Sequence, residues 1–390
     1  MRKIMRKVAD IALGILMLPM VSIMSLMAQT TATPPPQTFS TTIYLDYRYF
    51  LSNAGPLTLE PTNPNTAYLN NQFIFRRAYF TYENKISDNL KFRFRFDADN
   101  TANVTGVTLT GDPVSGASVK KDDKLRPFIK HLYLQYDNFL VPKMTLNVGM
   151  IETLTFKPSE ERWAYRSVAK TLVDGYKDIT GVEIYASSAD IGATLKYSVA
   201  KYFRFAAGYY NGAGYTHVEN DKYKEIELQA QLTPLPGLSV VGYMDYEQKQ
   251  PVAALPAETN PQGYTYKVDA FFEMVKNLVI GGEWFTYQND LYQTAGQKYD
   301  VGGWSTFGRY TVKPDKFALF ARYDSYRPNS LVRDRDMSLA IVGLDWAPYH
   351  ASMKLQPNVW FVNYKNGVVY NANATSNSDI VFNLTFFLSF

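Results

Sequence analysis

Asp379-Ile-Val-Phe-Asn-Leu-Thr-Phe-Phe-Leu-Ser-Phe390 is the stretch that decides the fold. Ile380, Phe382, Leu384, Phe386, Leu388 and Phe390 recur at every second residue, and Asp379, Asn383, Thr385 and Ser389 take the opposite parity. That period belongs to a strand with one apolar face. The sequence reaches Phe390 inside this strand, on an aromatic residue, with no following turn or helix to cover the face. Lipid is the expected cover. A C-terminal strand of a soluble sandwich is the rival.

The other end reads as a targeting segment. Met1-Arg2-Lys3-Ile-Met-Arg6-Lys7 is basic, Ile11 to Met27 is an almost uncharged run of 17 residues, and Leu26-Met27-Ala28 suits cleavage before Gln29. Residues 1–28 are therefore expected to be a signal peptide that takes the chain out of the cytoplasm. A retained membrane helix is the alternative, but the run stands at the lower edge of what spans a bilayer. Gln29 to Gln37, with Pro34-Pro35-Pro36, reads as an extended periplasmic lead-in. Residues 38–390 are then one domain. With no Cys in the chain, a lipid-modified N-terminal cysteine and a disulfide framework are both excluded.

Composition narrows the class. After residue 28 no apolar run has the length of a spanning helix, so any membrane passage uses strands. Thirty Tyr and 24 Phe in 390 residues suit pleated surfaces and membrane interfaces. The net charge of +4 falls to about +1 once Arg2, Lys3, Arg6, Lys7 and Asp10 are removed with the leader. Global charge thus names no partner, and nothing points to nucleic acid.

Sixteen strand-like segments alternate with turns from 38–50 to 379–390. They include 178–187 and a long one, 191–211, which has room for a bend near Lys201. Short connections such as Ile86-Ser-Asp-Asn89 and Lys313-Pro-Asp315 alternate with long ones such as 102–124 and 153–177. This predicts an all-β, antiparallel up-and-down transmembrane barrel of about sixteen strands, with short periplasmic turns and long outer loops. Sixteen strands leave a water-filled lumen where eight would be filled by side chains.

One hairpin is more specific. Phe92, Phe94 and Phe96 share one face of a strand, and Lys91, Arg93, Arg95 and Asp97 the other. Basic side chains are costly against acyl chains, so the charged face is expected to line the lumen. Together with Arg76-Arg77-Ala78 before this hairpin, Val148-Gly149-Met150, Gly208-Tyr209-Tyr210-Asn211-Gly212 and Phe320-Ala-Arg322-Tyr323-Asp324, the chain resembles the phosphate-selective porin family, the porins O and P, in its Bacteroidetes form. The resemblance runs from about residue 71 to 390. It implies a 16-stranded, trimeric channel in a Gram-negative outer membrane, whose third outer loop folds inward to narrow the pore. It also implies that the strand ending at Phe390 is read by the barrel-assembly machinery.

That third loop, 153–177, holds Lys157-Pro158-Ser159-Glu160-Glu161-Arg162-Trp163-Ala164-Tyr165-Arg166, followed by Lys170 and Leu172. A capping Ser159 and early acids predict a helix, which would align Arg162, Arg166 and Lys170 as one basic stripe at the constriction. Charges in a narrow low-dielectric passage act strongly on passing ions. Arg204, Arg309 and Arg322 are further candidates for the pore wall beside Lys91, Arg93 and Arg95, because a guanidinium donates two hydrogen bonds at once to phosphate or carboxylate. The rival for the loop cations is pairing with acids such as Asp174 that only pins the loop.

The function expected is passive diffusion of small hydrophilic solutes, with an inorganic anion such as phosphate preferred. A channel for sugars or other uncharged solutes, with Trp163 and Tyr165 as a contact surface, is the first alternative. A closed-lumen barrel enzyme or adhesion protein is the second. His131, His217 and His350 lie in separate segments without a nucleophile motif or metal-ligand spacing, so neither catalysis nor a cofactor is expected. An energy-coupled receptor would need a longer chain for its 22 strands and plug.

Overall fold

The computed structural model describes residues 37–52, 71–99, 103–109, 117–122, 127–175, 187–215, 218–219, 221–248, 261–294, 297–331, 336–365 and 378–390. Sixteen strands close into one ring. They are β1 (Gln37–Ser52), β2 (Asn71–Lys85), β3 (Leu90–Asp99), β6 (Pro127–Asp137), β7 (Met144–Glu152), β8 (Ala189–Ala200), β9 (Phe203–Tyr210), β10 (Glu225–Leu235), β11 (Leu238–Gln248), β12 (Gln262–Phe272), β13 (Leu278–Thr294), β14 (Gln297–Lys313), β15 (Phe317–Arg327), β16 (Met337–Trp346), β17 (Met353–Tyr364) and β18 (Ser378–Ser389). Apart from the step from β3 to β6, each pairs with the next in sequence, and β18 returns to β1. Between β3 and β6 the chain makes a separate two-stranded sheet of β4 (Asn103–Leu109) and β5 (Ala117–Asp122).

The closing strand behaves as its alternation requires. Asp379, Val381, Asn383 and Thr385 are buried on the inner face, while Ile380, Phe382, Leu384 and Phe386 take the outer one. Closure is fixed by hydrogen bonds of 2.8 and 2.9 Å between Thr41 and Phe390, and by Thr385 donating to Asp46 at 2.6 Å. Elsewhere the outer surface exposes Leu132, Leu228, Val268, Leu319, Val342 and Phe361. Apolar side chains on the outward parity of so many strands match the outer face of a transmembrane barrel.

Two expectations meet a different arrangement. The segment 191–211 is two strands, β8 and β9, turning at Lys201-Tyr202. That turn holds neither Gly nor Pro, so nothing in the local chemistry marks it. The strand expected at 178–187 falls almost wholly outside the described residues, and the ring closes without it because β7 pairs directly with β8. The total of sixteen therefore agrees while one assignment moves. On the other edge of β7, toward β6, Gly149 has φ +130°, and a Cβ there would stand 2.3 Å from the Leu132 carbonyl oxygen. No other residue fits so close an approach of two backbones.

The hydrophobic core sits inside the ring. Phe156, Trp163, Val168 and Leu172 of the third long loop pack against inward residues of β13 to β18, among them Phe285, Phe320, Ile341 and Val362. Part of the lumen is thus solid protein.

Candidate functional site: a loop docked across the lumen

The loop begins as a helix and does not continue as one. α1 spans Lys157–Trp163, with Pro158 in its first turn and Glu160 near its positive end. Phe156 is the N-cap residue and gives no side-chain cap; Ala164, at φ 60°, ends the helix as its N–H bonds the Glu160 carbonyl. Ser159, expected as a cap, is instead fully buried, donating to Asp269 at 3.0 Å and accepting from Lys267 at 2.9 Å. A second short helix, α2, covers Leu172–Gly175. With α1 ending at Trp163, Arg162, Arg166 and Lys170 lie on no common helical face, and the basic stripe is not formed. Tertiary bonds outweigh the propensity of the segment: the Trp163 indole donates to the Ala169 carbonyl at 2.8 Å, folding the chain back on itself.

The loop is held to the wall at successive strands. Glu227 of β10 accepts from the Leu154 N–H at 2.8 Å, and Lys267 of β12 donates to the Thr155 carbonyl at 3.1 Å. Arg309 of β14 donates to the Arg162 carbonyl at 3.0 Å, and Arg322 of β15 to that of Lys170. Ser167 donates to Gln356 of β17 at 2.6 Å. Arg76 of β2 donates to the carbonyls of Ser167 and Val168 at 2.7 and 2.8 Å. The loop therefore lines the arc from β10 round to β2, leaving β3 to β9 as the arc that faces the remaining passage.

The sequence-derived candidates divide accordingly. Arg166 pairs with Glu160 and, at 2.5 Å, with Asp174. Arg162 lies over Phe271 and within 3.4 and 3.6 Å of Glu161 and Glu273. Lys170 reaches water in part. Arg322 is buried and grips Asp324 through two bonds of 2.8 and 2.6 Å. On the uncovered arc, Lys91 pairs with Asp137 at 2.8 Å, and Arg93 with Glu83 at 3.3 Å and Glu152 at 3.9 Å. Arg95 donates to Thr81 at 2.8 Å and stacks 4.9 Å over the Tyr79 ring; among the described residues no carboxylate lies within ion-pair distance of it, and Glu152 attracts it from farther off. Arg204 is exposed beside the Lys201-Tyr202 turn. Trp163 and Tyr165, the aromatics of the sugar reading, are buried in the core.

Sequence reasoning missed Lys196 and Lys157. Lys196 stands opposite Thr145 and Ala206, on the polar parity of β8 between Leu195 and Tyr197, so the same alternation rule finds it. Lys157 is half exposed beside Glu152 at 3.6 Å and Glu161 at 3.8 Å. Glu152 lifts its pKa above the ordinary lysine value against the opposing effect of burial. Nothing in sequence marks Lys157, because its place depends on how the loop docks.

The Arg166–Asp174 clamp resists acid. Burial by itself would raise Asp174, but Arg166 and then Lys170 hold its carboxyl well below the usual carboxylate range. The same pairing raises Arg166, again against burial. A carboxyl depressed in the folded state adds stability that is complete above its unfolded pKa of about 4 and is lost only as pH falls through the lower folded value. A carbon-detected NMR titration should accordingly show no step at Asp174 down to about pH 3; a step near pH 4 would mean that the clamp does not form.

Among the described residues no group of three His, Asp or Glu side chains is placed to hold a metal ion. No protein-family model and no curated protein matches the sequence. Solved structures do. OmpT of Vibrio cholerae, in its trimer form, is similar over 92% of this chain and 100% of its own, at 13% identity and TM-score 0.55. The outer membrane channel DcaP of Acinetobacter baumannii is similar over 93% and 99%, at 12% and 0.58. An anion-selective porin from Comamonas acidovorans is similar over 91% and 99%, at 11% and 0.57. At such identities the likeness concerns architecture, and the chain has the fold of the outer-membrane porins, a closed antiparallel barrel of sixteen strands.

Proposed function

We propose that the protein is a passive channel of a Gram-negative outer membrane, passing small hydrophilic solutes along the uncovered β3 to β9 arc with a preference for inorganic anions, phosphate among them. The observation that carries this reading is Arg95: a partly exposed guanidinium on the inner wall, bonded to Thr81 and stacked on Tyr79, with no carboxylate within ion-pair distance among the described residues. Arg93, Lys196 and Lys157 stand in the same region, and an anion moving past them exchanges water for charge-assisted hydrogen bonds. Burial of Trp163 and Tyr165 weighs against the sugar alternative. The resemblance to the porin O and P family and the similarity to an anion-selective porin are consistent with the same reading. A homotrimer is proposed with it, from the family resemblance and the OmpT trimer. So are removal of residues 1–28 and recognition of the strand ending at Phe390 by the assembly machinery.

The test is the zero-current potential of the refolded protein in a planar bilayer under a KCl gradient. Chloride preference is expected, weakened by added phosphate, and the paired change Arg95→Ala with Lys196→Ala should move the potential most of the way to zero. A potassium-directed potential in the unaltered protein would remove the anion reading. No current from folded protein would remove the channel.

A further inference from the structure

One set of lumen acids and one set of lumen cations differ in their access to water, although Asp97 and Asp190 are buried on β3 and β8 and Asp137 and Glu152 reach solvent beside Lys91 and Arg93. Glu227, Asp245, Asp269, Glu283 and Asp324, on β10 to β15, are between 0% and 4% exposed. On β3, β8 and β9, Lys91, Arg93, Arg95, Lys196 and Arg204 all reach solvent. The loop makes the difference. Its Leu154 N–H lies on Glu227, Ser159 on Asp269 at 3.0 Å, and the Val173 N–H on Glu283 at 3.4 Å.

The covered acids are also neutralised where they lie. Lys267 stands 2.6 Å from Asp269 and 3.2 Å from Glu283, and Arg322 holds Asp324. The Tyr243 hydroxyl is 2.8 Å from Glu227 and 2.9 Å from Asp245. It has one hydrogen, so both contacts are hydrogen bonds only when a carboxyl of the pair carries a proton. The loop's own charges nearly cancel: Lys157, Arg162, Arg166 and Lys170 face Glu160, Glu161 and Asp174 within the same segment.

We propose that loop 153–175 sets the charge preference of the channel by covering and neutralising the acidic half of the lumen, leaving the basic half to the passing ions. This rests on the channel reading above. Exposed to water and freed of these partners, the same acids would draw cations.

The chain has no Cys, so single cysteines report access cleanly. Gln135→Cys on the uncovered arc should react with a cationic methanethiosulfonate, trimethylammonium-ethyl. Ser305→Cys, whose hydroxyl is bonded to Asp324 beneath the loop, should react only when residues 154–174 are replaced by a Gly-Ser linker. In the linker variant the zero-current potential should move from the chloride to the potassium side. In the complete channel, Arg162→Gln with Lys170→Gln should keep its sign. If the linker variant does not fold, Asp245→Asn in the complete channel, at a buried acid bonded to Tyr243 and the Thr265 N–H, gives the second reading, an unchanged potential. Equal labelling of S305C and Q135C in the complete protein overturns the cover. A linker variant that keeps chloride preference, a sign reversal by the loop changes, or a shift by the buried-acid change overturns the proposal. Absence of current in the unaltered protein overturns the channel reading instead, and protection of S305C then still reports the cover.

Discussion

Replacing Lys267 with Met is expected to destabilise the protein by about 3–5 kcal/mol, the range for removing one partner from a buried ionic group. Lys267 is 1% exposed, and its ammonium makes every polar contact available to it: Asp269 at 2.6 Å, Glu283 at 3.2 Å, Ser159 at 2.9 Å and the Thr155 carbonyl at 3.1 Å. Without it, Asp269 and Glu283 face each other across β12 and β13 with no cation between them. The root of the loop loses two of its bonds as well. The loss should appear as an earlier heat-induced shift from the folded to the unfolded band in a denaturing gel. Adding Asp269→Leu and Glu283→Gln to the Met change should recover most of it, because an apolar replacement of a whole buried ionic group is nearly neutral. An unaltered midpoint in the single variant would show that water reaches the site.

Trp163→Ala should act as strongly, but in the loop. The indole is fully buried, with ring contacts to Tyr165, Phe307 and Phe320 at 5.4, 5.6 and 5.7 Å, and with Arg322 5.4 Å from its centre. Deleting so large a buried aromatic typically costs about 3–5 kcal/mol. The strand hydrogen bonds of the ring do not depend on it, so the cost falls on docking. The expected variant keeps a heat-stable barrel, is cleaved by protease within 153–175, and passes a larger and noisier current than the parent. A variant with parental current and an uncut loop would mean that the polar anchors alone hold the loop.

Much of the architecture is legible in residues 379–390, because one face of β18 meets an environment that demands apolar side chains at every position. Lys91, Arg93 and Arg95 are legible for the converse reason: charge on one parity of a membrane strand has to face inward. The loop is legible only in outline. Its helix stops at Ala164 as the Trp163 indole turns back onto the Ala169 carbonyl and the Arg162 carbonyl accepts from the distant Arg309, and no local propensity encodes that. Arg309 and Arg322 read as wall cations from their parity, whereas the structure directs both to loop carbonyls. Parity tells which side of the sheet a residue takes and is silent on what else occupies that side. The Lys201-Tyr202 turn is foreshadowed only by the length of 191–211, which has room for a bend near Lys201; the lack of any turn-forming residue hides that it divides two strands.

The inner core also changes the character of the strands that build it. Neighbouring residues are apolar in both directions at Trp284-Phe285, Leu319-Phe320, Ile341-Val342, Trp360-Phe361 and Val381-Phe382, one of each pair facing out and the other in. Before the ring closes, these apolar pairs leave part of each inner face in the last third of the chain with nothing polar to offer water, although Asp324, Asn358 and Asn383 lie elsewhere on it. They match the composition of segments that self-associate as extended strands. The β3 to β9 part, with a charged or hydroxylated inner face, does not carry this burden to the same degree. Transit to the membrane is therefore hardest for the C-terminal third, and unfolded peptides covering 337–364 should precipitate at lower concentration than peptides covering 127–152.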